Sequence, residues 1–464
     1  MGYCMRGEGV RAFERCLSTT VPRQAQVPDT QIRQPGNSDV TEKQVDVKTI
    51  KAVFGDGTTS TYPHVWLREN CTCKSCFNSD AIARLFLIDD LCLDIRPNDA
   101  QVKGGNLHVE WSDGHLSTYT GKWLHERAFT PEARAKRRSR YMLSRHEEHD
   151  QVRSRKEGRK EKERKRPTFP IRANRPSLNR PVAHESDSKV RWGSGFQVPR
   201  LNFQSAMEED QVLLDWLVQL EKFGVVLVED APTRVGTIND FIDTLGFIKS
   251  THYGQDYEII NQITPNNLAY TGSKLGLHTD MPYYEYPPGT TWLHCIRQHE
   301  GKGGANVLSD GLNATELMKE IHPQHYATLV TTPIYFQDKG FQIYDFDKIT
   351  KTTTIELDEQ GKLKRLHTSS QSRDSIMDLT PEQILAFYSA LKTFNNTLYE
   401  HSIEMKTKPG DILVLDNSRV MHSRTAFDPS TAKGPRHLHN AYIDWDELRS
   451  KRRVLQDKLG VSLT

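Results

Sequence analysis

Long apolar runs are missing from this chain. No stretch of about 18 apolar residues occurs in its 464 residues, so no membrane-spanning helix is expected. Cysteine is scarce and odd in number, at 7, which excludes the dense disulfide framework of small secreted domains. The opening residues, MGYCMRGEGVRAFERCLSTTVPRQAQVP, lack the apolar core of a secretory signal. Arg6 stands where a myristoylation start needs Ser or Thr. Between Met142 and Pro167 there is no aromatic residue, so this basic stretch lacks the stacking platforms of single-strand nucleic-acid binders.

What is present is ample core material: 36% hydrophobic residues, with 7 Trp, 16 Tyr and 17 Phe. That suits two or three domains. The net charge of +2 conceals an asymmetry. From Arg134 to Arg166 there are 15 Lys or Arg against 6 Asp or Glu, a local balance of +9, which leaves −7 for the remainder.

Residues 1–45 read as a leader. It resembles a mitochondrial presequence in carrying Arg6, Arg11, Arg15 and Arg23, while Glu8 and Glu14 run against that pattern. A disordered leader is the alternative, so a mitochondrial or a cytoplasmic location is expected, with the arginines favouring the first. Residues 46–130 read as a small β module with two Asp-Gly hairpin turns, at Asp56-Gly57 and Asp113-Gly114. Residues 131–190 read as a charged linker or insert. It has a helix start at Pro131-Glu132 and no sustained apolar face, so it is expected as a solvated helix or disordered linker. A nucleic-acid patch, a membrane-surface patch or a nuclear address is the alternative.

From Trp192 onward the chain reads as globular. Val212, Leu213, Trp216, Leu217 and Leu220 form a helical stripe that Gly224 ends. Thr380 and Pro381 open a long amphipathic helix. Strands outnumber helices without regular alternation, which predicts a mainly β, α+β fold: an antiparallel core with helices outside.

Two clusters carry chemistry. WLRENCTCKSC places Cys71, Cys73 and Cys76 where three thiolates can wrap one soft cation. Structural zinc needs a fourth ligand, and His115 on the Asp-Gly hairpin suits best, with His108 and His125 as other options. Cys92 and Cys295 lie in apolar sequence and read as small buried residues. The second cluster begins at GLHTDMP. On a strand, His278 and Asp280 point to one face. His422 can add a third ligand, and two histidines with one carboxylate leave three open positions on an Fe(II) ion. The Arg436 guanidinium can fork onto the far carboxylate of a 2-oxo acid.

At this point a family resemblance becomes specific. AYTGSKLGLHTDMPYYEYPPGTTWLHCIRQ, PGDILVLDNSRVMHSR and RHLHNAYIDWDELRS resemble the γ-butyrobetaine dioxygenase family, which includes trimethyllysine dioxygenase. VWLRENCTCKSC and WSDGH resemble its zinc-binding module. The likeness covers about residues 45–130 and 190–455. It implies a double-stranded β-helix (jelly-roll) oxygenase domain over 191–455, Fe(II), 2-oxoglutarate as co-substrate, ascorbate as reductant, structural zinc and a homodimer. By motif position it implies that His278, Asp280 and His422 hold iron, that Arg436 holds 2-oxoglutarate, and that Cys71, Cys73, Cys76 and His115 hold zinc.

A trimethylammonium group has no N–H to donate and is best held by aromatic faces. Tyr253, Tyr257, Tyr270 and Tyr442 match the family's aromatic positions, with Tyr257 in place of a Trp. Asn267 matches a residue near the substrate carboxylate. Met281 departs from the family's pattern, and Ser369-Ser370 replaces a pair of Asn. Tyr283, Tyr284 and Tyr286 are not expected in the cage. The expected substrate is γ-butyrobetaine, giving L-carnitine, with trimethyllysine or a related betaine as the rival. From other classes, a nucleic-acid-binding zinc module with a decayed oxygenase domain and a regulatory protein hydroxylase are the alternatives. Retention of all three iron-ligand candidates and Arg436 argues against decay.

Overall fold

The computed structural model describes residues 37–141, 189–261, 267–431 and 434–461. Residues 1–36 of the leader, Arg6, Arg11, Arg15 and Arg23 among them, and most of the basic insert lie outside the described residues. From Asn37 onward the described residues form one compact unit.

The N-terminal part holds two three-stranded antiparallel sheets. In the first, Thr49–Phe54 alternates so that Ile50, Ala52 and Phe54 are buried, the period-2 pattern of a half-buried strand. Its first strand, Val40–Val45, begins ahead of residue 46. The second sheet runs Pro97–Lys103, Asn106–Trp111, Leu116–Thr120. Both Asp-Gly turns form as the sequence predicts. Gly57 and Gly114 take φ of 82° and 79°, which only glycine adopts without cost. The Asp113 carboxylate accepts the His115 N–H at 3.0 Å and Arg68 Nε at 2.8 Å.

The C-terminal part is a double-stranded β-helix with flanking helices. Its larger sheet has six strands, in the order Asp256–Ile260, His437–Ile443, Thr290–Arg297, Ile412–Asp416, Val225–Glu229 and Arg200–Asn202. All pairs are antiparallel except the parallel edge pair of Val225–Glu229 with Arg200–Asn202. The smaller sheet runs Leu275–His278, Val420–Arg424, Asn306–Asp310, Ile403–Met405. The helix Asp210–Phe223 buries Leu213, Trp216, Leu217 and Leu220, and Gly224 closes it in the left-handed conformation. The helix Pro381–Glu400 starts with a full capping box between Thr380 and Gln383.

Three expectations are corrected here. The insert's first helix, Pro131–Tyr141, is not wholly solvated: Arg137 is buried and paired with Asp374, and Arg138 Nη1 reaches Asp378 at 2.6 Å. Its anchor is charge pairing rather than an apolar face. Cys92 is exposed, whereas Cys295 is buried. The strand carrying His278 ends at that residue, so Asp280 does not share a strand face with it.

The N-terminal sheets and the oxygenase part share one hydrophobic core, in which Tyr62, Trp66 and Trp111 join Leu277, Met281 and Phe387. Polar ties reinforce it. Glu69 pairs with Arg373, and Arg84 donates to the Ser370 carbonyl at 2.9 Å. No helix among the described residues is long and apolar enough to cross a membrane.

Candidate active site and metal centres

His278 and His422 face each other across two paired antiparallel strands, their rings 4.3 Å apart. Asp280 reaches the same point from the turn after His278. Its Oδ1 lies 3.5 Å from His278 Nε2 and 3.6 Å from His422 Nε2. Those distances are long for hydrogen bonds and suit three donors around one ion; all three donor atoms lie within 4.8 Å of one another. His278 Nδ1 lies 2.8 Å from the Gly276 carbonyl. A proton donated there leaves the Nε2 lone pair free for a metal.

The turn that delivers Asp280 is built from outside. Asn417 brackets it, accepting the Asp280 N–H at 2.7 Å and donating to its carbonyl at 3.0 Å. Thr291 and Tyr442 hydroxyls donate to Oδ2 at 2.9 and 3.2 Å. Met281, the next residue, sits at φ 54° and is buried, a strained conformation for a residue with a Cβ. Burial works to raise the Asp280 pKa, but His422 and His278 hold it well below the usual carboxylate range. Burial, reinforced by His278, lowers His422 to about 4 and keeps it neutral, with a lone pair a metal could use.

His278, Asp280, Met281, His422 and Tyr442 line a cavity of about 160 Å³. Arg436 is part of its wall, buried and bonded through Nε to Gln298 at 3.3 Å. Burial lowers its pKa to about 10, so it stays charged. Arg424 joins it on the wall, two residues after His422 on the same strand, donating to the carbonyls of Ala269, Thr271 and Ser273. Burial, then Arg436, lowers Arg424 to about 9. Two adjacent buried guanidiniums make a strong local positive potential suited to a carboxylate.

Tyr253, Tyr257, Asn267, Met281, Ser369 and Tyr442 also line the cavity. Tyr253 stacks on Tyr257 at 4.4 Å, the Tyr257 and Tyr442 hydroxyls meet at 2.8 Å, and Asn267 donates to the Tyr253 hydroxyl at 2.7 Å. The structure does not bring Tyr270 to the cavity wall: it packs with Ile259, Cys295 and Leu438. Tyr283, by contrast, does line the cavity, while Tyr286 is exposed. Ser370 is off the wall and contributes its carbonyl to Arg84.

The cysteine cluster is equally compact. Cys71, Cys73 and Cys76 Sγ lie 3.3, 3.5 and 3.5 Å from His115 Nε2. A tetrahedral zinc with Zn–S of about 2.3 Å and Zn–N of about 2.0 Å puts such atoms about 3.5 Å apart, so the donor set fits that ion. His125 is elsewhere, 3.0 Å from Asp56, and His108 meets Thr118. The Cys76 thiol's hydrogen bond pulls Cys71 down to about 4, and Cys76 is raised in turn. Directly after Cys76, Phe77–Asn78 pairs with Ala83–Arg84, and this hairpin brings Ala81 and Ile82 of its turn, with Ala83, onto the catalytic cavity wall.

Sequence reasoning misses Arg424, Thr291, Asn417, Asp338 and the Ala81–Ala83 wall. Only Arg424 carries a readable signal: its i+2 spacing from His422 puts both side chains on one strand face.

A cavity with a 2-His-1-carboxylate set and two guanidiniums defines a non-haem iron, 2-oxoglutarate-dependent dioxygenase. Comparison with known proteins gives the particular group. The model for the taurine catabolism dioxygenase TauD, TfdA family matches residues 178–442, and that for the gamma-butyrobetaine hydroxylase-like N-terminal segment matches residues 41–125. The gamma-butyrobetaine dioxygenase of Homo sapiens is 31% identical, covering 88% of this chain and 95% of its own. That of Pseudomonas sp. is 27% identical, with 88% and 94% coverage. The mitochondrial trimethyllysine dioxygenase of Mus musculus is 24% identical, with 86% and 84% coverage. The chain belongs to the gamma-butyrobetaine dioxygenase family within the TauD, TfdA dioxygenases.

Proposed function

We propose that this enzyme hydroxylates a small trimethylammonium substrate, namely γ-butyrobetaine, to give L-carnitine. The observation that carries the reading is one cavity lined at once by His278, Asp280, His422, Arg436 and the stacked pair Tyr253 and Tyr257. In this reading His278 Nε2, Asp280 Oδ1 and His422 Nε2 hold Fe(II). Iron with 2-oxoglutarate supplies the two-electron oxidation: substrate, 2-oxoglutarate and O₂ give hydroxylated substrate, succinate and CO₂. Arg436 clamps the far carboxylate of 2-oxoglutarate, and Arg424 reinforces the positive field there. Tyr253, Tyr257 and Tyr442 present ring faces to the quaternary nitrogen, each worth about 1–2 kcal/mol once desolvated. Asn267 and Met281 complete the substrate wall.

Cys71, Cys73, Cys76 and His115 hold a structural zinc in this reading, because four protein ligands leave no open position for catalysis. In this reading the zinc module begins at the strand Val40–Val45 and runs to about residue 130, the helix Pro131–Tyr141 opens the insert, and the oxygenase domain starts near residue 191. Ascorbate keeps the iron reduced. A homodimer and a mitochondrial location complete the proposal; the Arg-rich leader and the mitochondrial trimethyllysine dioxygenases of mouse and cattle support the location.

Trimethyllysine is the second reading, kept open by Met281 and Ser369, which depart from the family's pattern and line the cavity. Purified enzyme with Fe(II), ascorbate and 2-oxoglutarate should release succinate faster with γ-butyrobetaine than with trimethyllysine. The opposite order would overturn the substrate assignment.

A further inference from the structure

Asp338 is a second carboxylate on the catalytic cavity wall, besides Asp280, and the chemistry described so far does not use it. It lies on the strand Ile334–Phe341, opposite Lys348 in a hairpin. Among the described residues no Lys or Arg side chain pairs with it. Its nearest basic group is His252, whose Nε2 stands 3.9 Å from Asp338 Oδ2. That is too long for a hydrogen bond. His252 is wholly buried, and burial, with help from Lys348, lowers it to about 4, so it brings no positive charge at neutral pH. The cavity's two guanidiniums are engaged elsewhere, Arg436 with Gln298 and Arg424 with three backbone carbonyls.

What surrounds Asp338 is aromatic. Its charge acts on Tyr253, Tyr283 and Tyr284, and Tyr253 is half of the stacked pair. Burial holds its carboxyl above the usual value, and hydrogen bonding from Tyr283 and the Lys339 N–H works against that rise. A negative group set among aromatic rings in a low-dielectric cavity focuses a field that favours a cation. A quaternary ammonium makes no hydrogen bond, so it can use this field without displacing the carboxylate's own neighbours.

We propose that Asp338 is a specificity-determining residue, the anionic member of the tyrosine cage, which selects substrates carrying a fixed positive charge. This rests on the trimethylammonium reading above. It separates two contributions within the cage. The rings contribute shape and cation–π attraction, and Asp338 contributes charge discrimination over neutral molecules of equal size.

The test compares γ-butyrobetaine with its carbon isostere 5,5-dimethylhexanoate, in which a tert-butyl group replaces trimethylammonium. Wild type is expected to turn over the betaine at the lower KM. Asp338→Asn should raise the betaine KM about tenfold, leave the isostere KM in place and change kcat little. Asp338→Glu should restore most of the betaine preference. KM for 2-oxoglutarate and the unfolding temperature report whether the variants are folded. Equal shifts for both substrates, or none for either, would overturn the role of Asp338 and leave the betaine assignment standing. A wild type that hydroxylates neither γ-butyrobetaine nor trimethyllysine would overturn both.

Discussion

Asp280 shows how a candidate ligand is aimed by its neighbours. Its oxygens are divided: Oδ2 is held by Thr291 and Tyr442, which turns Oδ1 toward the two imidazoles. Outer hydrogen bonds of this kind set ligand orientation, and losing one costs metal affinity about 10- to 100-fold. Thr291→Val keeps the shape and removes the donor. It should raise the Fe(II) concentration needed for half-maximal succinate release by that factor, with the unfolding temperature little changed; an unchanged iron titration would rule this role out. His278 and His422 were legible in the sequence because residue type and motif order announce them. Thr291 and Asn417 were not, because nothing local distinguishes a hydroxyl or amide that meets Asp280 from 11 or 137 residues away. The tyrosines divide for the same reason: a Tyr signals a large amphipathic side chain, while backbone direction decides that Tyr283 faces the cavity and Tyr270 the small core beside it.

Among the elements, the hairpin after the cysteine cluster has the widest reach. The turn after Cys76 lies two strand residues from the cluster and supplies Ala81 and Ile82, with Ala83 after them, to the catalytic wall. Ile82 sits at φ 47°, a strained state for a β-branched residue. Arg84 joins Asn70, next to Cys71, to the carbonyls of Ser370 and Arg373. Loosening the cluster therefore loosens the substrate wall. Cys73→Ser should lower the unfolding temperature and also raise the KM for the betaine more than that for 2-oxoglutarate, read by succinate release. Unchanged stability would refute the zinc assignment. Caps, hairpins and the long helix were readable because each rests on contacts a few residues apart, as with Thr380 and Gln383. The helix Pro131–Tyr141 hid its role because its anchors, Asp374 and Asp378, lie more than 200 residues away in sequence.

For the molecule as a whole, a shared core and buried histidines set the response to acid. His252 and His294 are wholly buried, and burial first, then nearby positive groups, lowers each to about 4. The unfolded chain titrates them near 6.5. Above that pH both states are neutral there and nothing is lost. Between about 6.5 and 4 the unfolded state binds more protons, so stability falls as pH falls, by on the order of 3 kcal/mol per histidine at the lower end. Denaturant midpoints should drop steadily from pH 7 to pH 5; flat midpoints would show that these histidines are protonated in the fold.

The sequence by itself determined the mainly β class, the two Asp-Gly hairpins, both donor sets and the family, because these depend on residue type and short spacing. The tertiary structure alone decided what those sets work with. It brought Asp280 in from a turn rather than a strand, placed Asp338 and Arg424 on the cavity wall, and put the turn beside the cysteine cluster against the catalytic site. These outcomes come from sheet pairing and from burial between distant segments, and a cavity is defined by the side chains that long-range packing leaves facing one another.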